Sequence, residues 1–233
     1  MNTRLKTTVA LAVMSVFVCV LNPQSAEAGK KRKPKAPKIA TGPMDDGTLD
    51  PFWFGEGLEF READEIDYLW VKDGFSLEGA TLHFAAWPEP VFLGDDAEKR
   101  DEKDHELAAS MAADLAETFA GVFGAELADQ HVTTSLTDGD ILVEGRIVDC
   151  STGSKAAKVL VGFGAGSGNT TIDLRFKDAA SGELLVGMHH RVVSGTTWST
   201  TDSKFTKWVE ELAENIKKKG VGTLYAKGDP TNK

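Results

Sequence analysis

The sequence predicts an α/β chain of the α+β type, in which two helices pack on one face of a largely antiparallel sheet in the order β-β-α-β-β-β-β-α. Three observations predict it. Two segments carry apolar residues at helical spacing: Leu107, Met111, Leu115, Phe119 and Val122, then Phe205, Trp208, Val209, Leu212 and Ile216. Between and before them lie short runs that alternate apolar and polar residues, as half-buried strands do. The turn "DAASGE", with Gly182, then joins two of these runs at hairpin spacing.

The segment "YLWVKDGFSLEGATLHFAAW" (Tyr68 to Trp87) predicts the first two strands. In the second, Leu82, Phe84 and Ala86 share one face, and Pro88 and Pro90 end it. The first helix falls between about Asp96 and Gly124. Its acidic front, "DDAEKRDEKDHE", suits a helix N-terminus through capping and the macrodipole. "DILVEGRIVDC" comes next as a strand with Ile141, Val143 and Ile147 on one side and Leu142, Glu144 and Arg146 on the other, and "KVLVGF" (158–163) is a further candidate. "TTIDLRFKD" is the clearest strand, with Ile172, Leu174 and Phe176 inward and Asp173, Arg175 and Lys177 outward; "LLVGMHHRVV" pairs back on it. The second helix closes the domain, ending in Lys217, Lys218, Lys219 and Gly220 as a helix C-terminus prefers.

The chain divides into five segments: a signal peptide over residues 1–28, a basic disordered tether over 29–50, an aromatic lead-in over 51–67, the domain over 68–220, and a disordered tail over 221–233. The chain opens with Arg4 and Lys6, runs apolar from Thr7 to Leu21, and reaches Ala26-Glu27-Ala28 before Gly29. That is the layout of a secretory signal cleaved between Ala28 and Gly29, and it places the mature protein in the periplasm or outside the cell. The apolar run is shorter than the roughly 20 residues of a spanning helix. Cys19 comes after Val18 rather than a small residue, which argues against lipidation.

The 233 residues carry a net charge of −10 at neutral pH, which argues against a nucleic-acid partner. The tether reverses that sign locally: Lys30, Lys31, Arg32, Lys33, Lys35 and Lys38 suit an anionic surface. Cleavage leaves Cys150 as the lone cysteine, so no intramolecular disulfide forms, and a small buried apolar role is expected for it.

The run "LVGFGAGSGNTTIDLRF" (160–176) raises the question of a phosphate cradle, and it fails the test. A dinucleotide fingerprint starting at Gly162 would need glycine at Ser167, and one starting at Gly164 would need it at Asn169. The run leads into a strand, so no helix dipole faces an anion. The glycines suit a bend or bulge, or the close approach of a partner's backbone. Gly164, Gly166, Gly168 and Asn169 are therefore candidate partner-binding residues; Trp53 of "PFWFGEG" is expected to pack back on the domain, with an aromatic docking residue as the alternative reading.

His189 and His190 point to opposite faces of a strand and cannot share a metal. Asp101 and His105 are a solvated helix pair without further ligands, and Asp138-Gly139-Asp140 reads as a turn. No cofactor, metal ligand set or catalytic motif is predicted.

The "VEGRIVD" strand with Gly145-Arg146-Ile147, the "VGFGAGSG" run, the "TIDLRFKDAASGELL" hairpin and the closing helix resemble the bacterial family called domain of unknown function 4410. The "DGFSLEGATLHFAAW" segment looks like its opening strands. The hairpin also resembles that of the curli-secretion lipoprotein and related envelope domains. The resemblance implies an exported bacterial α/β domain without established catalytic residues. Two functions are then open: a non-catalytic envelope module that binds a protein or cell-wall partner, or, alternatively, an exported hydrolase or metal-dependent enzyme whose site converges from distant residues.

Overall fold

The computed structural model describes residues 39–40, 47–153, 168–193 and 201–225. Their strands are β1 (Ile39–Ala40), β2 (Phe60–Ala63), β3 (Ile66–Val71), β4 (Thr81–Phe84), β5 (Thr133–Ser135), β6 (Ile141–Ser151), β7 (Asn169–Asp178) and β8 (Leu184–Val193). Helices α1 (Pro51–Phe54), α2 (Glu102–Glu126) and α3 (Thr201–Lys219) complete the elements, with single 3-10 turns between some of them. The eight strands form one sheet in the order β1-β2-β3-β8-β7-β6-β4-β5. Its ladders are antiparallel except at β4, which runs parallel to both β5 and β6. The α+β class and the largely antiparallel sheet are those the sequence predicts.

Helices α2 and α3 cover one face. Met111, Leu115, Phe119 and Phe123 of α2 and Phe205, Trp208, Val209, Leu212 and Ile216 of α3 are buried against Ile141, Val143, Ile147, Ile172, Leu174 and Phe176 of the sheet. The period of two along each strand meets the period of 3.6 along each helix in this layer. Asp101 caps α2 and forms a reciprocal box with Asp104, so the acidic front of the helix satisfies its own first amides.

Gly145 lies under the ring of Trp87, where a methyl group would come within 2.1 Å of the indole. Trp87 in turn stacks on Phe119, with centroids 5.8 Å apart. The bare backbone at Gly145 thus lets one strand accept an indole laid flat between sheet and helix.

The predicted boundaries change where the structure adds edge strands, ends a strand early or buries a terminal segment. Strands β1, β2 and β5 are additional to the predicted order, because two to four residues at the sheet edges are too short to show a period. The second predicted strand stops at Phe84: Ala86 is exposed, and Trp87 turns inward in its place. The predicted strand over 158–163 lies outside the described residues. The segments read as disordered at both ends also contribute to the fold. Ile39 and Ala40 pair with β2, and Thr48 and Leu49 are buried. At the other end, Leu224 and Tyr225 are buried, and Tyr225 Oη accepts the Val71 amide at 2.9 Å. Isolated apolar residues such as Leu49 and Leu224 give no pattern, so their burial is invisible along the chain.

Candidate functional site

The strand register assembles a polar row on the face turned away from α2 and α3. Tyr68 of β3 stands opposite His189 of β8, His189 opposite Asp173 of β7, and Asp173 opposite Arg146 of β6. The next row runs Trp70, Gly187, Arg175, Glu144. Residues directly opposite in a ladder have their side chains in contact, so this alignment alone makes a linked charge network.

Asp173 is its centre. One carboxylate oxygen accepts from Arg146 Nε at 2.8 Å, and the other lies 2.6 Å from His189 Nδ1. A carboxylate can only accept, so Nδ1 carries the proton. His189 Nε2 then faces the Thr48 hydroxyl at 3.4 Å. Asp173 and His189 are fully buried, and Arg146 and Thr48 nearly so. Beside them, Arg175 Nε and Lys177 Nζ donate to Glu144 at 2.8 and 2.7 Å. Burial raises the Glu144 pKa, but those two cations outweigh it and hold the carboxyl below its ordinary range.

What buries this face is the segment Thr48 to Phe60, which crosses it as a strap. Leu49, Phe54 and Phe60 form a second apolar cluster with Tyr68. Gly187 makes room for it, since a Cβ there would meet Phe54 at 3.0 Å and Phe60 at 3.2 Å. Asp50 caps α1 by accepting the Phe52 amide at 3.1 Å, and its other oxygen reaches Arg146 at 3.3 Å. The guanidiniums of Arg146 and Arg175 stand over the Trp53 ring, 4.5 and 4.1 Å from its centroid, and Arg175 also donates to the Trp53 carbonyl. Each is a cation–π geometry in a partly dry setting.

By alternation along β7, Asp173, Arg175 and Lys177 are outward residues. They do lie on the face away from the helices, but the strap turns that face into an interior one, and Asp173 is buried without remainder. Trp53 is half-buried and engaged with Arg146 and Arg175. Gly168 is buried, and Asn169 opens β7 opposite Ser151 and Val193. Gly164, Gly166, Ala28, Gly29 and the cations Lys30 to Lys38 lie outside the described residues. β7 begins at Asn169, directly after Gly168, and the rest of the glycine run lies outside the described residues. Nothing in the sequence around Thr48 and Asp50 marks them as network members. The one available signal is Asp50-Pro51, a capping residue with proline at the first helical position.

His190, on the other face, stacks on Trp208 with centroids 4.7 Å apart and has Nδ1 3.1 Å from Asp67. The two histidines therefore serve separate aspartates. His105 packs against Phe92 at 4.1 Å, while Asp101 is spent on the helix cap. Among the described residues no three His, Cys, Asp or Glu side chains gather as a metal set, and no helix is long and apolar enough to cross a membrane. A hollow of about 380 Å³ lies beside Arg61, Trp70, Lys72 and Tyr225, away from His189.

The family model described as Domain of unknown function (DUF4410) matches residues 69–196, more than half of the chain. The chain belongs to the DUF4410 family. The match takes in Arg146, Asp173 and His189 and leaves out Thr48, Asp50 and Trp53, so the strap lies outside the DUF4410 span while the row it covers lies within it. No curated protein matches the sequence. Among solved structures, two crystal forms of the PelC dodecamer from Paraburkholderia phytofirmans are similar, each at 10% identity. Their TM-scores are 0.42 and 0.41, with 64% and 63% of this chain and 95% and 96% of theirs covered. A PDZ domain protein from Parabacteroides distasonis has a TM-score of 0.34 at 10% identity, with 68% of this chain and 35% of that one covered.

Proposed function

We propose that this DUF4410 chain is an exported envelope protein, periplasmic or secreted, that works as a binding or assembly module and carries out no chemistry of its own. The observation that supports this reading is the closure of the polar row. Where a hydroxyl, an imidazole and a carboxylate do align, Thr48, His189 and Asp173 spend their polar groups on one another and on Arg146 beneath the strap. Binding falls to the surface: the basic segment from Lys30 to Lys38 toward an anionic envelope surface, and the glycine run with Asn169 toward a partner backbone.

The test is made on protein recovered from the envelope fraction. Its mass should place the N-terminus at Gly29, and it should sediment with an anionic surface at low salt. Removal of Lys30 to Lys38 should abolish sedimentation, because the remaining chain is acidic. An intact Met1 start, or sedimentation indifferent to the deletion, would overturn the reading.

The same alignment motivates a second reading, a hydrolase with Thr48 as nucleophile, because hydroxyl, imidazole and carboxylate stand in the order of a nucleophilic relay. The 3.4 Å Thr48–His189 separation and the sharing of Asp173 with Arg146 weigh against it. A fluorophosphonate adduct at Thr48 that disappears in His189→Gln would establish this alternative.

A further inference from the structure

We infer that the hollow beside Trp70 is a binding site for a neutral saccharide, with the indole taking the C–H face of a sugar ring and the charged groups around it taking the hydroxyls. The inference rests on the reading of this chain as a binding module, and its site is separate from the basic segment and the glycine run.

The hollow exists because β2 is shorter than β3. Strand β2 begins at Phe60 and sets Arg61 opposite Leu69, so Glu59, which would face Val71, has already left the strand. Tyr225 fills part of the gap, and its Oη accepts the Val71 amide at 2.9 Å. About 380 Å³ remains open, toward the small end of the roughly 300–1,000 Å³ that ligand sites occupy. Bare backbone keeps the rim clear: a Cβ at Gly57 or Gly74 would meet nothing within 4 Å. Trp70 packs against the strap cluster of Phe54 and Phe60 and is half-buried where it lines the hollow. Its Nε1 has no acceptor among the described residues, whereas Trp208 Nε1 donates to the Glu65 carbonyl at 2.8 Å.

The lining selects the chemistry. Glu59 and Asp73 are acceptors only, and Arg61 and Lys72 are donors only. Two carboxylates against two cations give an ion of either sign no net attraction, and Lys72 already pairs with Glu183 at 2.6 Å. An apolar ligand would strip water from these charged groups without replacing it. A sugar hydroxyl both donates and accepts, so a ring of hydroxyls uses carboxylates and cations together, and such charge-assisted hydrogen bonds are the stronger kind. The same ring carries C–H bonds on its face, which suits an indole that is apolar in body and polar at Nε1. A peptide added as a strand along this edge is disfavoured, because the Val71 amide that would start the ladder is spent on Tyr225.

The experiment uses the chain from Gly29 onward, which keeps every described contact, and reads saturation transfer by NMR to cellotriose, maltotriose, triacetylchitotriose and, as the peptide control, trialanine. At least one trisaccharide should receive saturation on its ring C–H protons. Trp70→Ala should weaken that binding about tenfold, as loss of one aromatic contact does, and Trp70→Phe should keep most of it. Because Trp70 also supports the strap, a second variant fills the hollow instead. Gly222 lines it and has room for a side chain, the nearest atom to an added Cβ being the Phe75 carbonyl oxygen at 3.8 Å, so Gly222→Phe should abolish binding with the melting temperature unchanged. Removal of Lys30 to Lys38 should leave saccharide binding as it is, which keeps the two sites distinguishable. No transfer to any of the trisaccharides, equal transfer in the parent and Gly222→Phe, or transfer to trialanine alone would overturn the inference, while sedimentation through the basic segment would stand or fall on its own.

Discussion

His189 donates its Nδ1 proton to Asp173 across 2.6 Å, with both side chains wholly buried, and the same carboxylate takes Arg146 on its other oxygen. One carboxylate therefore neutralises a buried guanidinium and orients a buried imidazole. Asp173→Ala would leave the buried Arg146 with only the longer 3.3 Å pair to Asp50 and take the acceptor from His189, at a cost of about 3–5 kcal/mol. Urea unfolding should show a midpoint lowered accordingly; an unchanged midpoint would mean that the network contributes nothing to stability.

The contact of Gly145 with Trp87 gives a second expectation. Gly145→Ala drives a methyl group into the indole and should destabilise by about 1–3 kcal/mol. Near 2–4 °C per kcal/mol for a chain of this size, the melting temperature should fall by several degrees. Trp87→Leu should relieve part of that loss in the double variant, so the two effects will not add. Additive losses in the double variant would refute the steric cause.

Acid should weaken the β3–β8 junction. Burial by itself raises the Asp67 pKa, but the His190 imidazole 3.1 Å away and the Arg191 amide at 2.7 Å more than reverse this and hold Asp67 below its ordinary 3.8. A carboxyl depressed in the folded state contributes stability that is present above the unfolded value and is lost as pH falls through the folded one. Unfolding free energy measured from about pH 5 downward should therefore decline less steeply in Asp67→Asn than in the parent protein.

The thiol makes the opposite prediction at the alkaline end. Burial pushes Cys150 up to about 11 from an ordinary 9.0, despite the Thr170 hydroxyl 3.6 Å away. Because the unfolded thiol ionises first, its contribution to stability is full below about pH 9 and drains away as pH rises toward 11. Cys150→Ala should flatten that part of the profile. In the parent at neutral pH, Ellman's reagent should react at the rate of unfolding; fast labelling of folded protein would show an open thiol.

Local pattern was enough for α2, α3, the β7–β8 hairpin and the inward set Ile172, Leu174, Phe176, because helix and strand periods are written in neighbouring residues. The opposite facing of His189 and His190 comes from the same period. The site was far less legible. Arg146 and Asp173 are 27 positions apart and Thr48 and His189 are 141 apart, and nothing within either segment announces the other.

By itself, then, the sequence determined the two helices, the alternation of the central strands and the acidic helix cap. Tertiary structure alone decided that the polar face is an interior one. Alternation states which side of a sheet a residue occupies, not what lies on that side. Asp173 and Arg146 become a buried pair only because strand register sets them opposite one another and because Gly187 lets Phe54 and Phe60 settle onto the sheet. Those conditions join segments far apart in the chain, and only folding brings them into contact.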